Sequence, residues 1–339
     1  MAVFVLFNAG VAAIAFAVTE AYLFLHQPED PTYSDGYRVI DDVLGVVPVK
    51  GFQAHSVRFI GGLKVYDVIY TIDSKGLRIG PPVNGSTTGC ILFFGDSFTF
   101  GEGLQDTETL PYQVGIQSGR SYRTFNFGFH GYGPHQMLAA IETGLVHRLV
   151  DCHPDYAIYS AIPNHVARVA GKVPFGKHSV RYQIDANGAV RPIGHFDDHQ
   201  KVSSPLHNEM ESQLRKSALY SALVKRDGRA SADDIRLLLA IVERSKDLLA
   251  SEYPGIKFHV LLWWNRKNEE PIYQGLGDGL RRINILVHLV ENILPGYAVE
   301  SSKYSLSPYD PHPNALANRI LASYVLTSIV SPPFRLPVF

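Results

Sequence analysis

The residues of this chain best suited to chemistry begin with a serine that follows a short apolar run. Ile91–Phe94 is followed directly by Gly95, Asp96 and Ser97. Four apolar residues before a glycine are typical of a buried strand that ends in a sharp turn. In open α/β sheets, ligands bind at the carboxyl ends of the strands. Ser97 is therefore expected at such an edge, where its hydroxyl could act as a nucleophile if a base lies near it.

A base, and an acid to orient it, are present near the carboxyl end of the chain at His312 and Asp310. With Ser97 they supply the residue types of a Ser-His-Asp site, which is defined by roles and geometry rather than by chain order. Because the two residues are close in sequence, one loop at the lip of the sheet can place them side by side. We predict that His312 accepts the Ser97 proton and that Asp310 orients His312.

Strands and helices alternate from Cys90 onward, and this alternation predicts an α/β fold with a mainly parallel sheet. The predicted strands are Ile91–Phe94, Arg123–Phe127, Tyr156–Ala161, Lys257–Trp263 and Tyr297–Glu300. The predicted helices are Thr109–Ser118, Pro134–Arg148, Ala232–Glu252, Gly279–Leu294 and Ala315–Ile329. Ser231, with Asp234 three residues later, resembles a capping box at the start of the Ala232 helix.

We divide the chain into an N-terminal segment (1–26), a linker with a small β-rich segment (27–89) and a main domain (90–332). Short alternating runs between Tyr37 and Ile79 predict the β-rich segment. It could pack over the site or merely separate the site from a membrane. Within the main domain, residues 172–210 break the helix–strand rhythm. Asn187-Gly188 there predicts a hairpin, and we expect an insertion that forms a lid or a substrate-selecting loop.

The composition is that of a globular protein, with 46% hydrophobic and 19% charged residues among 339. A formal net charge of −1 gives no basic field for nucleic acid, so no nucleic-acid partner is expected. Three histidines of the insertion region lack metal-ligand spacing and a supporting cysteine or carboxylate framework: His195, His199 and His207. We therefore expect no bound metal and no organic cofactor.

The N-terminal segment is nearly continuous apolar sequence from Ala2 to Phe24, and about 20 such residues span a bilayer as a helix. We predict an uncleaved membrane anchor. The alternative is a signal peptide, since Ala15–Ala17 resembles a cleavage site. Three acidic residues follow the apolar segment: Glu29, Asp30 and Asp35. This acidic flank predicts that the main domain is exported, and it would be secreted if the segment is cleaved. Cys90 and Cys152 could pair in an oxidising compartment.

In four separated blocks the chain resembles the SGNH, or GDSL-type, hydrolase family. The blocks are Gly95-Asp96-Ser97-Phe98 with Gly101-Glu102-Gly103, then Asn126 to Gly133, then Ile162-Pro163-Asn164, and finally Asp310 to Asn314. They follow the family's order and cover about residues 90–330. One Gly-Asp-Ser is a weak signal, whereas four blocks in order are specific. The resemblance implies a three-layer α/β/α, flavodoxin-like fold behind an N-terminal helix and the β-rich segment.

The resemblance also implies residue roles. Ser97 matches the nucleophile, and its backbone N–H matches one oxyanion donor. Gly131 matches the glycine whose N–H is a second donor, and Asn164 the asparagine whose side-chain amide is the third. His312 matches the general base and Asp310 its orienting acid. Fixed donors aimed at the developing oxyanion lower the barrier to acyl transfer.

Two blocks depart from the common family pattern. The last block reads Asp-x-His where Asp-x-x-His is frequent, and such enzymes can also work as Ser-His dyads with a backbone carbonyl orienting the histidine. The third block has His165 where an aspartate is frequent. Three side chains near the blocks or at a strand end are candidate substrate contacts: His165, His130 and Trp264. Asp96 is expected to be structural and to stabilise the turn.

We expect a serine-dependent esterase that removes acyl groups, acetyl above all, from an envelope or extracellular carbohydrate. One alternative is a carbohydrate O-acetyltransferase that uses the same residues. Another is a non-catalytic carbohydrate-binding or assembly protein, against which the intact Ser97, Asp310 and His312 count. The expected partners are a small-molecule or carbohydrate ester and the membrane at the N-terminal helix. The sequence does not indicate an oligomeric state.

Overall fold

The computed structural model describes residues 30–83, 87, 89–198, 230–264 and 274–330, together with residues 11, 14–22, 214 and 217. Residues 14–22 are helical and expose apolar side chains, among them Ile14, Phe16 and Tyr22. Most of the predicted anchor at 1–26 lies outside the described residues. Within the part that is described, no helix is both long and apolar enough to cross a membrane.

The β-rich segment forms two small antiparallel sheets. Its strands are β1 (Thr32–Tyr33), β2 (Arg38–Asp41), β3 (Gly45–Pro48), β4 (Gln53–Ile60) and β5 (Leu63–Thr71). β4 lies between β1 and β5 in one sheet, and β2 pairs with β3 in the other. Alternate residues of β5 are buried in the core of the main domain: Tyr66, Val68 and Tyr70. The segment therefore packs onto the main domain and shares its core.

Strands and helices alternate through most of the main domain. The strands are β6 (Gly89–Phe94), β7 (Tyr122–Asn126), β8 (Pro154–Ala161), β9 (Val180–Ile184), β10 (Val190–His195), β11 (Lys257–Leu262), β12 (Leu286–Leu289), β13 (Ser305–Ser307) and β14 (Asp310–Pro313). The helices are α1 (Ser97–Phe100), α2 (Leu110–Gln117), α3 (Pro134–Glu142), α4 (Leu145–Leu149), α5 (His165–Val169), α6 (Ala232–Glu252), α7 (Gln274–Arg282), α8 (Val290–Ile293) and α9 (Ala315–Tyr324). The predicted helix Pro134–Arg148 is split at Gly144, whose φ is 68°.

The central sheet has five parallel strands in the order β7-β6-β8-β11-β12. Numbered along the chain this is 2-1-3-4-5, the flavodoxin-like order. Its strands are apolar on both faces, as a covered parallel sheet requires. Ile91 and Phe93 pack in the core that contains α2 and α9, whereas Leu92 and Phe94 pack in the core that contains α3 and α6. The predicted three-layer α/β/α fold is confirmed.

The edge strand of this sheet is not where the sequence predicted it. The predicted helix Gly279–Leu294 is replaced by α7, β12 and α8. Asn284 adopts a left-handed φ of 57°, and the N–H of Ile285 donates to the carbonyl of Leu280 at 3.1 Å, which ends α7. The apolar run that follows is too short for periodicity to distinguish strand from helix. Tyr297–Glu300, predicted as a strand, lies in a turn.

The predicted hairpin of the insertion is present. β9 pairs antiparallel with β10, and the hairpin packs against α3 and α6 on one face of the domain. Asp185 stabilises the turn, because its carboxylate accepts the backbone N–H groups of Asn187 and Ala189, both at 2.9 Å. The part of the predicted insertion beyond residue 198 lies outside the described residues.

Candidate active site

A sharp turn after β6 presents Ser97. Gly95 has a φ of 153°, and a Cβ there would lie 2.2 Å from Thr99 Oγ1, so only glycine fits. Asp96 caps α1 by accepting the N–H of Phe98 at 3.0 Å, which agrees with its predicted structural role. Ser97 is the first residue of α1, at the carboxyl end of the sheet, and remains 5% exposed.

The three predicted catalytic side chains lie together in a connected line. His312 Nε2 lies 2.9 Å from Ser97 Oγ, and His312 Nδ1 lies 2.6 Å from Asp310 Oδ1. The backbone N–H of His312 also donates to Asp310 Oδ1 at 3.1 Å. Both residues lie on β14, where side chains two apart point to the same face. The shorter Asp-x-His spacing therefore suits a strand.

The β-rich segment reaches this site through Arg58 of β4. Arg58 Nη1 lies 2.8 Å from Asp310 Oδ2, and the Asp310 side chain is fully buried. Burial alone would raise the pKa of Asp310, but the hydrogen bond and charge of His312, followed by the charge of Arg58, lower it. Asp310 is thus maintained as an anion behind His312. No local sequence pattern identifies Arg58, because 252 residues separate it from Asp310.

A second buried carboxylate, Glu102, lies beside the same histidine. Its Oε2 is 3.7 Å from His312 Nε2. His130 Nδ1 lies 2.8 Å from that oxygen, and the hydroxyls of Tyr33 and Tyr66 donate to Oε1 at 3.2 and 3.4 Å. Burial opposes ionisation, but the charges of His130 and His312 lower the pKa of Glu102 far below its usual range. The sequence placed Glu102 in the first block without giving it a role.

Two of the three predicted substrate contacts, His130 and His165, have little exposed surface and contact protein groups, and their contact with substrate stays a prediction. His130 Nδ1 faces Glu102 Oε2, and its Nε2 lies 3.2 Å from the Tyr37 hydroxyl. His165 is completely buried; its Nδ1 lies 2.6 Å from the Tyr159 hydroxyl and its Nε2 3.3 Å from Asp96 Oδ2. Each imidazole lies beside a buried carboxylate that needs polar neighbours. Within the described ranges, no group of three or more His, Cys, Asp or Glu side chains could hold a metal ion.

The three predicted oxyanion donors lie on loops that follow adjacent strands. Ser97 follows β6, Gly131 follows β7 and Asn164 follows β8, and β6 lies between the other two strands. Gly131 has a left-handed φ of 74°. Asn164 is exposed, and its side chain makes no hydrogen bond to another described residue.

Arg168 of α5 connects these three loops. Its Nη1 lies 2.7 Å from Asp96 Oδ2 and also donates to the carbonyl of Tyr132. Asp96 precedes Ser97, Tyr132 follows Gly131, and α5 begins directly after Asn164. One buried guanidinium therefore joins the Asp96 side chain and the Tyr132 backbone to α5, the helix that begins after Asn164. A sequence signal for Arg168 is weak: it is a charged residue between the apolar Val166 and Val169.

Phe175 and two tryptophans lie near this edge. A Cβ on Gly131 would lie 3.2 Å from two ring atoms of Phe175, which is 46% exposed and was not identified from the sequence. Trp263 is buried, donates to Ser160 Oγ at 2.8 Å, and has its ring 5.2 Å from that of Phe98. Trp264 is half-buried against the opposite core. Its predicted substrate contact stays a prediction.

None of the protein-family models matches this chain, and no curated protein matches it. Solved structures that are similar include a catalytic mutant of an acetylxylan esterase from Geobacillus stearothermophilus (15% identity, TM-score 0.40, 75% of this chain and 99% of that one). They also include a member of the lipolytic G-D-S-L family from Veillonella parvula (13%, 0.40, 72% and 99%). A third is an acetyl xylan esterase from Butyrivibrio proteoclasticus (10%, 0.39, 75% and 67%).

Proposed function

We propose that this protein is a serine-dependent ester hydrolase of the SGNH type. The observation that carries the proposal is the 2.9 Å contact between Ser97 Oγ and His312 Nε2, with Asp310 2.6 Å behind the imidazole. A nucleophile, a base in hydrogen-bond reach and a group that orients the base are the requirements of nucleophilic acyl transfer.

The chemistry follows from these contacts. His312 takes the Ser97 proton through Nε2 as Oγ attacks the ester carbonyl. The resulting oxyanion accepts from the N–H groups of Ser97 and Gly131 and from the Asn164 amide, each worth about 3–4 kcal/mol. Protonated His312 then gives its proton to the departing alkoxide, which leaves an acyl group on Ser97. Water, deprotonated by His312, attacks that acyl group, the bond to Ser97 Oγ breaks, and Ser97 takes the proton back from His312 as the acid is released.

The charge around His312 sets the expected pH dependence. Burial would lower the pKa of His312, but the carboxylates of Glu102 and Asp310 outweigh burial and raise it. Only the neutral imidazole can accept the Ser97 proton. Activity should therefore rise with pH through this raised pKa, above the ordinary value of about 6.5.

The substrate we propose is a small acyl ester, acetyl above all, on a carbohydrate. Ser97 is only 5% exposed, which suits a short acyl chain. Two exposed aromatic residues lie at the edge of the site. Tyr309, 73% exposed, precedes Asp310, and Phe175 lies against Gly131. Exposed aromatic faces at a rim suit packing against a sugar ring.

We also propose that the domain works in an exported location. Cys90 of β6 and Cys152, just before β8, are joined in a disulfide with a Cα–Cα distance of 6.4 Å. Such bonds persist in oxidising compartments and are rare in reducing ones. Export agrees with the apolar N-terminal segment and its acidic flank.

Hydrolysis of p-nitrophenyl acetate by the full chain tests the proposal, with acetylated xylan and peptidoglycan fragments as parallel substrates. Ser97→Ala removes the nucleophile, and Ser323→Ala, on the exposed part of α9, is the matched control. We expect turnover that is lost in Ser97→Ala alone. Equal turnover in wild type and Ser97→Ala would contradict the proposal. Labelling of Ser97 by a fluorophosphonate without any hydrolysis would point to acyl transfer onto a sugar hydroxyl.

A further inference from the structure

His312 lies between two buried carboxylates rather than beside one. Asp310 contacts Nδ1 at 2.6 Å, as the proposed triad requires. Glu102 approaches the other nitrogen, Nε2, at 3.7 Å, and this nitrogen also faces Ser97 Oγ at 2.9 Å. A Ser-His-Asp mechanism has no use for this second anion. Its position, on the side where the proton moves, therefore needs an explanation.

Both oxygens of Glu102 are occupied by other groups. His130 donates to Oε2, and the hydroxyls of Tyr33 and Tyr66 donate to Oε1. Burial raises the pKa of both tyrosines, so they remain protonated donors at working pH. An ionised carboxylate can only accept, so His130 Nδ1 carries the proton of its contact with Oε2. Glu102 is thus a fixed anion rather than a carrier of protons.

The backbone that carries Glu102 is fixed as well. Arg78 Nη1 donates to the carbonyls of Phe100 and Gly101 at 2.9 and 2.6 Å. The N–H of Gly103 donates to the Tyr70 hydroxyl at 2.9 Å. Besides His130 and His312 of the main domain, five side chains around this carboxylate and its backbone come from the segment 27–89: Tyr33, Tyr37, Tyr66, Tyr70 and Arg78.

We propose that Glu102 is a positioning residue that stabilises the imidazolium form of His312, and that the β-rich segment completes the catalytic site by fixing this carboxylate. This inference rests on the proposed function, because it needs His312 to be the base. When Ser97 gives up its proton, positive charge forms on the imidazole 3.7 Å from the Glu102 carboxylate. An anion at that distance favours the charged form of a histidine.

Removing the Glu102 charge should lower the pKa of His312. An opposite charge within about 4–6 Å shifts a pKa by about 1–3 units, and the lower end suits a contact without a hydrogen bond. The acid limb of activity in Glu102→Gln should move to lower pH by about one unit, and the plateau of kcat/KM should fall about tenfold. Other titratable or charged groups face this pair and stay unchanged in the variant: Asp310, Asp96, Arg58, Arg38, His130, Tyr33, Tyr66 and Tyr70.

The test is an NMR titration of the His312 ring in the full chain, assigned by the signal that is lost in His312→Asn. It compares wild type, Glu102→Gln, Glu102→Asp and the exposed control Glu300→Gln. We expect a lowered His312 pKa in Glu102→Gln, partial recovery in Glu102→Asp and no change in Glu300→Gln. The pH dependence of fluorophosphonate labelling should move in parallel. A folded Glu102→Gln protein with an unchanged His312 pKa would overturn the inference.

A second variant keeps the inference testable if Glu102→Gln does not fold. In Asp310→Asn, Glu102 is the nearest remaining carboxylate to His312, so the His312 pKa should stay near its ordinary value. A His312 pKa far below that value would show that burial lowers it without opposition from Glu102, and would refute the role of Glu102. The titration needs no ester turnover. A protein without esterase activity but with the expected shift would therefore reject the proposed function and leave the electrostatic role of Glu102 intact.

Discussion

Arg168→Met should cost both stability and rate, because Arg168 connects the loops that carry the three proposed oxyanion donors. Methionine keeps much of the apolar stem but removes the guanidinium that contacts Asp96 at 2.7 Å. Asp96 then retains the N–H of Phe98 and the nearby imidazole of His165 as polar neighbours. The variant therefore leaves a buried carboxylate with its main counter-charge missing.

The burial of this pair sets the magnitude. The side chains of Arg168 and Asp96 are 9% and 0% exposed, so water screens them little. Removing one partner of such a pair costs about 3–5 kcal/mol of unfolding free energy. For a chain of 339 residues that lowers Tm by roughly 4–7 °C. A displacement of the oxyanion loops by about 1 Å would reduce kcat/KM by about 10²-fold.

Thermal melts and p-nitrophenyl acetate kinetics measure both effects. The matched control is Arg244→Met, whose guanidinium lies 3.5 Å from Glu142 with the two side chains 49% and 22% exposed, and it should cost about 0–1 kcal/mol. Asp96→Asn added to Arg168→Met should recover part of the stability, because it removes the uncompensated charge. An Arg168→Met protein no less stable or active than Arg244→Met would refute the reasoning.

Further predictions concern the glycine donor, the disulfide and acid stability. Gly131→Ala should reduce kcat/KM by about 10²-fold, since a φ of 74° and a 3.2 Å approach to Phe175 both disfavour a Cβ; unchanged kinetics would contradict this. Replacing Cys90 and Cys152 by alanine should lower the unfolding free energy by about 4 kcal/mol for a separation of 62 residues, measured by urea denaturation. Arg168 and His165 outweigh burial and lower the pKa of Asp96, so its stabilisation is present at neutral pH and lost from about pH 5 downward. In Asp96→Asn the unfolding free energy should fall less steeply below pH 5. An equally steep fall would show that other groups cause the acid destabilisation.

The parts of the structure that the sequence predicted well are those that local sequence patterns encode. The turn at Gly95 and the cap at Asp96 are encoded within a few residues, so Ser97 was placed at the end of a strand without tertiary information. The helix α6 has the predicted bounds Ala232–Glu252 because its capping box is local: the N–H of Asp234 donates to Ser231 Oγ at 3.2 Å. Asp310 and His312 were identified as a pair because they are close in sequence.

Long-range contacts explain what the sequence did not predict. Arg58 and Asp310 meet across 252 residues, and no periodicity encodes that contact. His130 and His165 lie near the motifs in sequence. Their low exposure arises from packing beside the carboxylates of Glu102 and Asp96, which local sequence does not reveal. β12 was missed because a short apolar run fits a strand and a helix equally well. The site therefore depends on a β-rich segment whose role became visible only in three dimensions.

The most direct test of the central claim is covalent labelling of the full chain with a fluorophosphonate, followed by intact mass spectrometry and peptide mapping. If Ser97 is a nucleophile activated by His312, one adduct forms on Ser97. Labelling is then abolished in Ser97→Ala, slowed in His312→Asn and unaffected in Ser323→Ala. Adducts elsewhere, or no labelling of a folded wild-type protein, would contradict the assignment of Ser97 as the nucleophile.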